Sequence, residues 1–143
     1  MLRILPVPPG EVQAIWGHVA PHFASFAERS QGEVSTADFL HDVMTGEKQC
    51  WVAIRDRQVA ATALTRAIDS PMHTVEIMCC AGEGRHDWRD QLVDEIEAWA
   101  KSRGSKRLRI ICRPGWTKEL KRLGFRESHR VLEREIDEQK PKD

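Results

Sequence analysis

Apolar residues recur along this chain with two periods. A short apolar stretch at residues 2–7 reads as a first strand. Pro8 and Pro9 stop it, because proline lacks the N–H that a ladder needs. Val12, Ile15, Trp16 and Val19 then follow at helical spacing. Pro21 is expected to interrupt or restart that helix. Phe23, Phe26 and Ala27 carry its apolar face on to about Arg29, and Gly32 closes the unit. Ser35, with Asp38 three residues on, marks a second helix start, where an acid is favourable in the first turn. Phe39, Leu40, Val43 and Met44 supply its core stripe, and Gly46 ends it.

From residue 50 the period shortens. Residues 50–54 form a continuous apolar run, hence a buried strand. A polar turn at 55–58 leads to a second strand at 59–65, so the pair reads as a hairpin. Asp69, Ser70 and Pro71 make a turn. Residues 74–80 are a further strand, with Val75, Ile77 and Cys79 expected on one face. A polar loop with two glycines covers 81–87. A long helix is expected from about Trp88 to Ser102, burying Leu92, Val93, Ile96, Trp99 and Ala100. Gly104 caps it. Residues 107–112 read as a strand, 114–122 as a short helix, and 125–136 as a final long strand or bent pair. One domain over 1–136 with a charged, disordered tail at 137–143 is the expected organisation.

Composition bounds this picture. A chain of 143 residues can bury about two-thirds of its unfolded surface and needs no staple. No apolar run approaches the roughly 18 residues of a membrane span. The N-terminal stretch lacks a charged-then-apolar signal pattern, so the cytoplasm (a host's cytoplasm or a virion, if phage-encoded) is the expected location. Cys50, Cys79, Cys80 and Cys112 sit in apolar stretches with no C-x-x-C pair, and read as reduced thiols buried in strands. Net charge is zero, yet residues 101–134 carry twelve Lys or Arg against three Glu, a net of +9. That asymmetry suits a polyanion or a solvated basic surface. Zero overall charge and the lack of aromatic–basic interleaving argue against nucleic acid. His18 and His22 are four apart but have no third partner and no H-E-x-x-H, so no metal site is expected.

The element order β-α-α-β-β-β-α-β-α-β, together with Leu123-Gly124-Phe125 after a short helix, resembles the GNAT (GCN5-related N-acetyltransferase) superfamily over most of the chain. The segment from Cys112 to Ile136 is also similar to small phage- and prophage-encoded GNAT-like proteins. The resemblance implies an α+β fold with a mixed, mostly antiparallel sheet of six to seven strands flanked by helices, whose fourth and fifth strands splay apart. It implies acetyl-CoA as cofactor. The pantetheine arm would run along Met78, Cys79, Cys80 and Ala81. The pyrophosphate would sit at the start of the following helix, among Gly84, Arg85, His86, Trp88 and Arg89, where free N–H groups and the dipole favour an anion. Arg113 and Trp116 would flank the cleft, with Arg113 standing where the family often has Asn. Glu76 would be the candidate base for the amine.

Several positions depart from the family. Aligning Leu92 and Val93 with the family's helix puts Asp87 and Arg89 where the pyrophosphate-loop glycines belong, with Gly82 and Gly84 too early. Glu83 and Asp87 would repel a pyrophosphate, and Asp87 reads as the helix N-cap, holding amides a phosphate would want. The chain has no tyrosine, and Leu120 stands where the family's general acid would be. Glu76 has a bland alternative, on the solvated face or paired with a nearby Arg. Trp88 and Trp116 have one too, as packing residues rather than ligand or partner covers.

Two functions follow from the resemblance. One is an acetyl-CoA-dependent N-acyltransferase acting on a small-molecule or protein amine. The other is a catalytically silent GNAT-fold structural or binding protein, such as a virion-associated phage component with virion or host proteins as partners.

Overall fold

The computed structural model describes residues 1–29, 35–69 and 71–136. The expected closure at Gly32, Ser70 of the expected turn and the 137–143 tail lie outside the described residues.

Strand β1 (Arg3–Val7) leads into α1 (Pro9–Arg29), which runs through Pro21 without a break. Proline removes one helical hydrogen bond, at about 3 kcal/mol in a helix interior. Val12, Val19 and Phe23, all at 0% exposure, bracket it and hold the helix by packing. Helix α2 (Thr36–Met44) starts at a capping box. The Ser35 Oγ accepts from the Asp38 N–H at 3.2 Å, and the Asp38 carboxylate accepts from the Ser35 N–H at 3.0 Å. Phe39 and Val43 are buried, whereas Met44, expected in the stripe, is 47% exposed in the last turn. Lys48 donates to Asp42 at 2.6 Å and ties the end of α2 to the strand that follows.

Strands β2 (Gln49–Arg55) and β3 (Gln58–Ile68) form the expected hairpin. Its loop residues, Asp56 and Arg57, both have positive φ (52° and 64°), as a two-residue turn matched to strand twist requires. Strand β4 (Thr74–Gly82), helix α3 (Arg85–Ser102) and β5 (Arg107–Ile110) complete a five-stranded sheet in the order β1-β2-β3-β4-β5. Every pair is antiparallel except β4–β5, which is parallel and therefore needs the α3 crossover between them.

The sheet is covered on both faces. Val7, Cys50, Val52, Leu64 and Cys79 pack with Val12, Val19 and Phe23 of α1 and Phe39 and Val43 of α2. The alternate positions take the α3 side. There the Trp51 ring meets Trp99 edge-on at 5.4 Å, and its N–H donates to Thr65 Oγ1 at 3.0 Å. Burying Trp51 to 2% exposure would strand that N–H without Thr65.

Two sequence expectations are corrected here. Val75, Ile77 and Cys79 do not share one face. The β3–β4 register slips between Leu64 and Thr65, which pair with Cys79 and Ile77, leaving Met78 as an extra residue on β4. A one-residue bulge flips every later side chain, so Cys79 joins the α1–α2 core while Ile77 faces α3 with Thr65. The sheet has five strands, not six to seven. Residues 126–136 form no strand and make no backbone ladder bond among the described residues, and Val131, Leu132 and Ile136 are 79–92% exposed. A strand exists only through a pairing partner, and this highly charged stretch has none among the described residues. It belongs to a second compact unit, Arg113–Asp143, distinct from Met1–Cys112. Within it, a 3₁₀ turn at Pro114–Trp116 leads to α4 (Thr117–Arg122), closed where the Phe125 N–H reaches the Leu120 carbonyl at 3.1 Å. No described helix is long and apolar enough to cross a membrane.

Candidate acyl-donor site

The site starts from an unequal pair of strands. β5 pairs with β4 only from Thr74↔Arg107 to Ile77↔Ile110, with one further bond from the Ile111 N–H to the Ile77 carbonyl at 3.1 Å. β4 continues to Gly82, held on its other side by β3 as far as Ala61↔Gly82. Among the described residues, then, Met78, Cys79, Cys80, Ala81 and Gly82 have a strand on one side only. The bulge at Met78 falls where the pairing with β5 ends. A bulge re-aims main-chain groups and raises local twist, so it is suited to open a gap at that point.

Gly82 and Glu83 then lead to the start of α3. Gly82 is glycine for a packing reason: a Cβ there would lie 2.5 Å from the Ala60 carbonyl oxygen, on β3. Gly84 is the N-cap of α3, in the left-handed region at φ 66°, and no side chain caps the helix. The expectation of Asp87 as N-cap is therefore wrong. α3 begins at Arg85, three residues earlier than Trp88, and Asp87 sits in its first turn with its N–H bonded to the Gly84 carbonyl at 2.9 Å. Gly82 is the last residue of β4, and Gly84 caps the helix. The Asp87 carboxylate adds a negative charge, partly balanced by Arg55 at 3.5 Å, with both side chains well exposed.

The other named residues divide by burial. Arg85 is half-buried and His86 exposed in the first turn of α3. Trp88 is 2% exposed, and its indole N–H donates to the Glu83 carbonyl at 2.9 Å, pinning the loop to the helix. It is a packing residue rather than an open cover. Arg89 is 8% exposed and its Nε donates to Asp90 at 2.9 Å. Arg113, exposed, and Trp116, half-buried at the N-cap of α4, belong to the second unit. Leu120 is buried there at 3%.

Glu76 is 1% exposed and bracketed by two arginines. Arg66 Nη2 lies 3.3 Å from its Oε1, and Arg109 Nη1 lies 3.4 Å from its Oε2. Both carboxylate oxygens are engaged, so the paired reading of this residue is the one seen. The thiols nearby are held neutral. Burial pushes Cys79 up to about 12 and Cys80 up as well. Cys112, exposed just past β5, is also raised by burial of its sulfur.

No family model matches the chain, and no curated protein matches its sequence. Solved structures do match. A tetramutant of the BH1408 protein from Bacillus halodurans aligns at TM-score 0.72 and 13% identity, over 94% of this chain and 99% of that one. An aminoglycoside acetyltransferase from an uncultured soil metagenomic sample, in complex with sisomicin, aligns at TM-score 0.70 and 9% identity, over 95% and 97%. A predicted acetyltransferase with acetyl-CoA, from Clostridium acetobutylicum, aligns at 0.67 and 16% identity, over 94% and 96%. The chain shares the GNAT-like fold of these structures, one mixed sheet flanked by helices.

Proposed function

We propose that the protein is an acetyl-CoA-dependent N-acyltransferase. The observation that carries this reading is the run from Met78 to Arg85: a bulged strand paired, among the described residues, on one side only, feeding a helix capped by a left-handed glycine. The unpaired edge supplies main-chain donors and acceptors for the amide groups of a pantetheine arm. The start of α3, with a glycine rather than a side chain at its cap, supplies a positive dipole end for a pyrophosphate. The residues present therefore fit the cofactor, which would supply an activated acyl thioester. Neighbours in fold are named for acetyl transfer, one of them with acetyl-CoA and another with an aminoglycoside.

The chain's own part is binding, orientation and polarisation. An N–H of the bulged edge near Cys79 would point at the thioester carbonyl, where negative charge develops as the amine nitrogen attacks. The C–N bond forms, the C–S bond breaks, and the amine's proton leaves to water. Glu76 is tied to two guanidinium groups, so it orients rather than accepts that proton. Without a tyrosine in the chain, the leaving thiolate takes its proton from solvent.

Calorimetric titration with acetyl-CoA, followed by thiol release with an amine panel, tests the reading. Binding at micromolar to low-millimolar cofactor and amine-dependent thiol release are expected. No heat at millimolar cofactor removes it.

A further inference from the structure

Glu76 is the middle of a cross-strand row. Arg66 on β3 pairs in register with Glu76 on β4, and Glu76 with Arg109 on β5. Residues opposite one another in a ladder point to the same face. Arg66 follows Leu64 by two positions, which sets the row on the α1–α2 side of the sheet. The carboxylate at the centre is 2% exposed, whereas the flanking side chains of Arg66 and Arg109 are 46% and 34% exposed. The charged heads are thus anchored below and open above.

The contacts leave capacity unused. A guanidinium has five N–H donors, and charge-assisted bonds to carboxylate run to about 2.7–2.9 Å. Here each arginine gives one terminal nitrogen to Glu76, at 3.3 and 3.4 Å. Among the described residues neither makes any other hydrogen bond or ion pair. Two arginines and one glutamate leave a net charge of +1. One carboxylate neutralises that charge, whereas a phosphate dianion would exceed it. The row also has a useful position: Glu76 precedes the bulged Met78 by two residues, about 7 Å along the strand.

We propose that Arg66 and Arg109 form a carboxylate-binding site, preset by Glu76, and that the acceptor is an α-amino acid or similar small amine that bears a carboxylate. This specificity rests on the acyl-transfer reading, but the anion site itself does not. With the carboxylate forked between the two guanidinium groups, the amine a few bonds away is directed along β4 toward the bulge. Arg66 and Arg109 are specificity-determining residues, and Glu76 is a positioning residue.

The test compares a panel of α-amino acids with their carboxamides, in thiol release and in titrations of the arginine Nε–H signals by NMR. Amino acids are expected to shift the Arg66 and Arg109 signals and to exceed their amides in kcat/KM by at least tenfold. Arg66→Gln is expected to raise KM for the amino acids about tenfold and to bring the ratio of kcat/KM between amino acids and their amides close to one. Arg66→Lys, which keeps the charge over Glu76, controls for folding and is expected to lose most of the preference through the lost fork. Equal use of amides, or arginine signals that carboxylates do not move, overturns the proposal even if acetyl-CoA binds. Shifted arginine signals with no acyl transfer to any amine keep the anion site and overturn the transferase reading instead.

Discussion

Cys50 and Cys79 lie in the α1–α2 core at 0% and 3% exposure, while Cys112 is exposed just beyond β5. Depth sets their chemistry, because the thiolate is the reactive form and burial disfavours it. Burial raises Cys50 to about 11 and Cys79 to about 12, from an ordinary 9.0. Native protein is expected to give one fast thiol, Cys112, with a colorimetric disulfide reagent, the half-buried Cys80 more slowly, and Cys50 and Cys79 only on unfolding. The linkage has a definite sign. Raised folded values favour the native state fully below pH 9, and that contribution is lost as pH rises toward 11–12. The melting temperature should therefore fall between pH 8 and pH 10.5, and Cys50→Val should flatten part of the fall. The burial of Cys50 and Cys79 was legible from their apolar runs, whereas Cys80 is half-buried and Cys112, expected to be buried in a strand, is exposed beyond the end of β5. The tie between Glu76 and its two arginines was legible only as a generic alternative, since it depends on register across three strands.

Helices and strands were readable wherever one period persisted. The Ser35–Asp38 cap, the β2–β3 hairpin and the Leu92-Val93-Ile96-Ala100 stripe of α3 all stand as the pattern predicts. Element ends and irregularities were not. Residues 74–80 contain almost no polar marker that would betray an extra residue, so the bulge at Met78 left no trace in the alternation. The start of α3 was misplaced because its first turn, Arg85-His86-Asp87, is wholly polar and reads as loop. Its true start matters for the cofactor. Asp87 lies in that turn beside Gly84, where a Cβ would come 3.3 Å from the Asp87 carboxylate. Two unit charges at 4 Å interact by about 1 kcal/mol in water and by about 4 kcal/mol at an effective dielectric of 20. Asp87→Asn is therefore expected to tighten acetyl-CoA binding several-fold at low salt. Its ion pair to Arg55 is long, at 3.5 Å, and well exposed, so stability should change little. Weaker binding by this variant would mean that the cofactor's anionic groups do not sit at the start of α3.

At the scale of the whole molecule, the fold was accessible from element order although no family model and no curated protein matches the sequence. The GNAT arrangement depends on a parallel β4–β5 pair that ends early, and sequence pattern supplies both strands without saying where they part. The final strand expected at 125–136 shows the limit of pattern reading: charge and scattered apolar residues fit a strand edge, but only a partner makes one. What the molecule does rests on whether β4 beyond Ile77 accepts a thioester nucleotide along its free edge. Amide chemical-shift mapping with acetyl-CoA measures this directly. Perturbations concentrated on Met78–Ala81 and on the first turn of α3, with β1 and β2 unmoved, are predicted. Saturating acetyl-CoA that leaves those amides unshifted, or shifts that gather elsewhere on the sheet, would contradict the account.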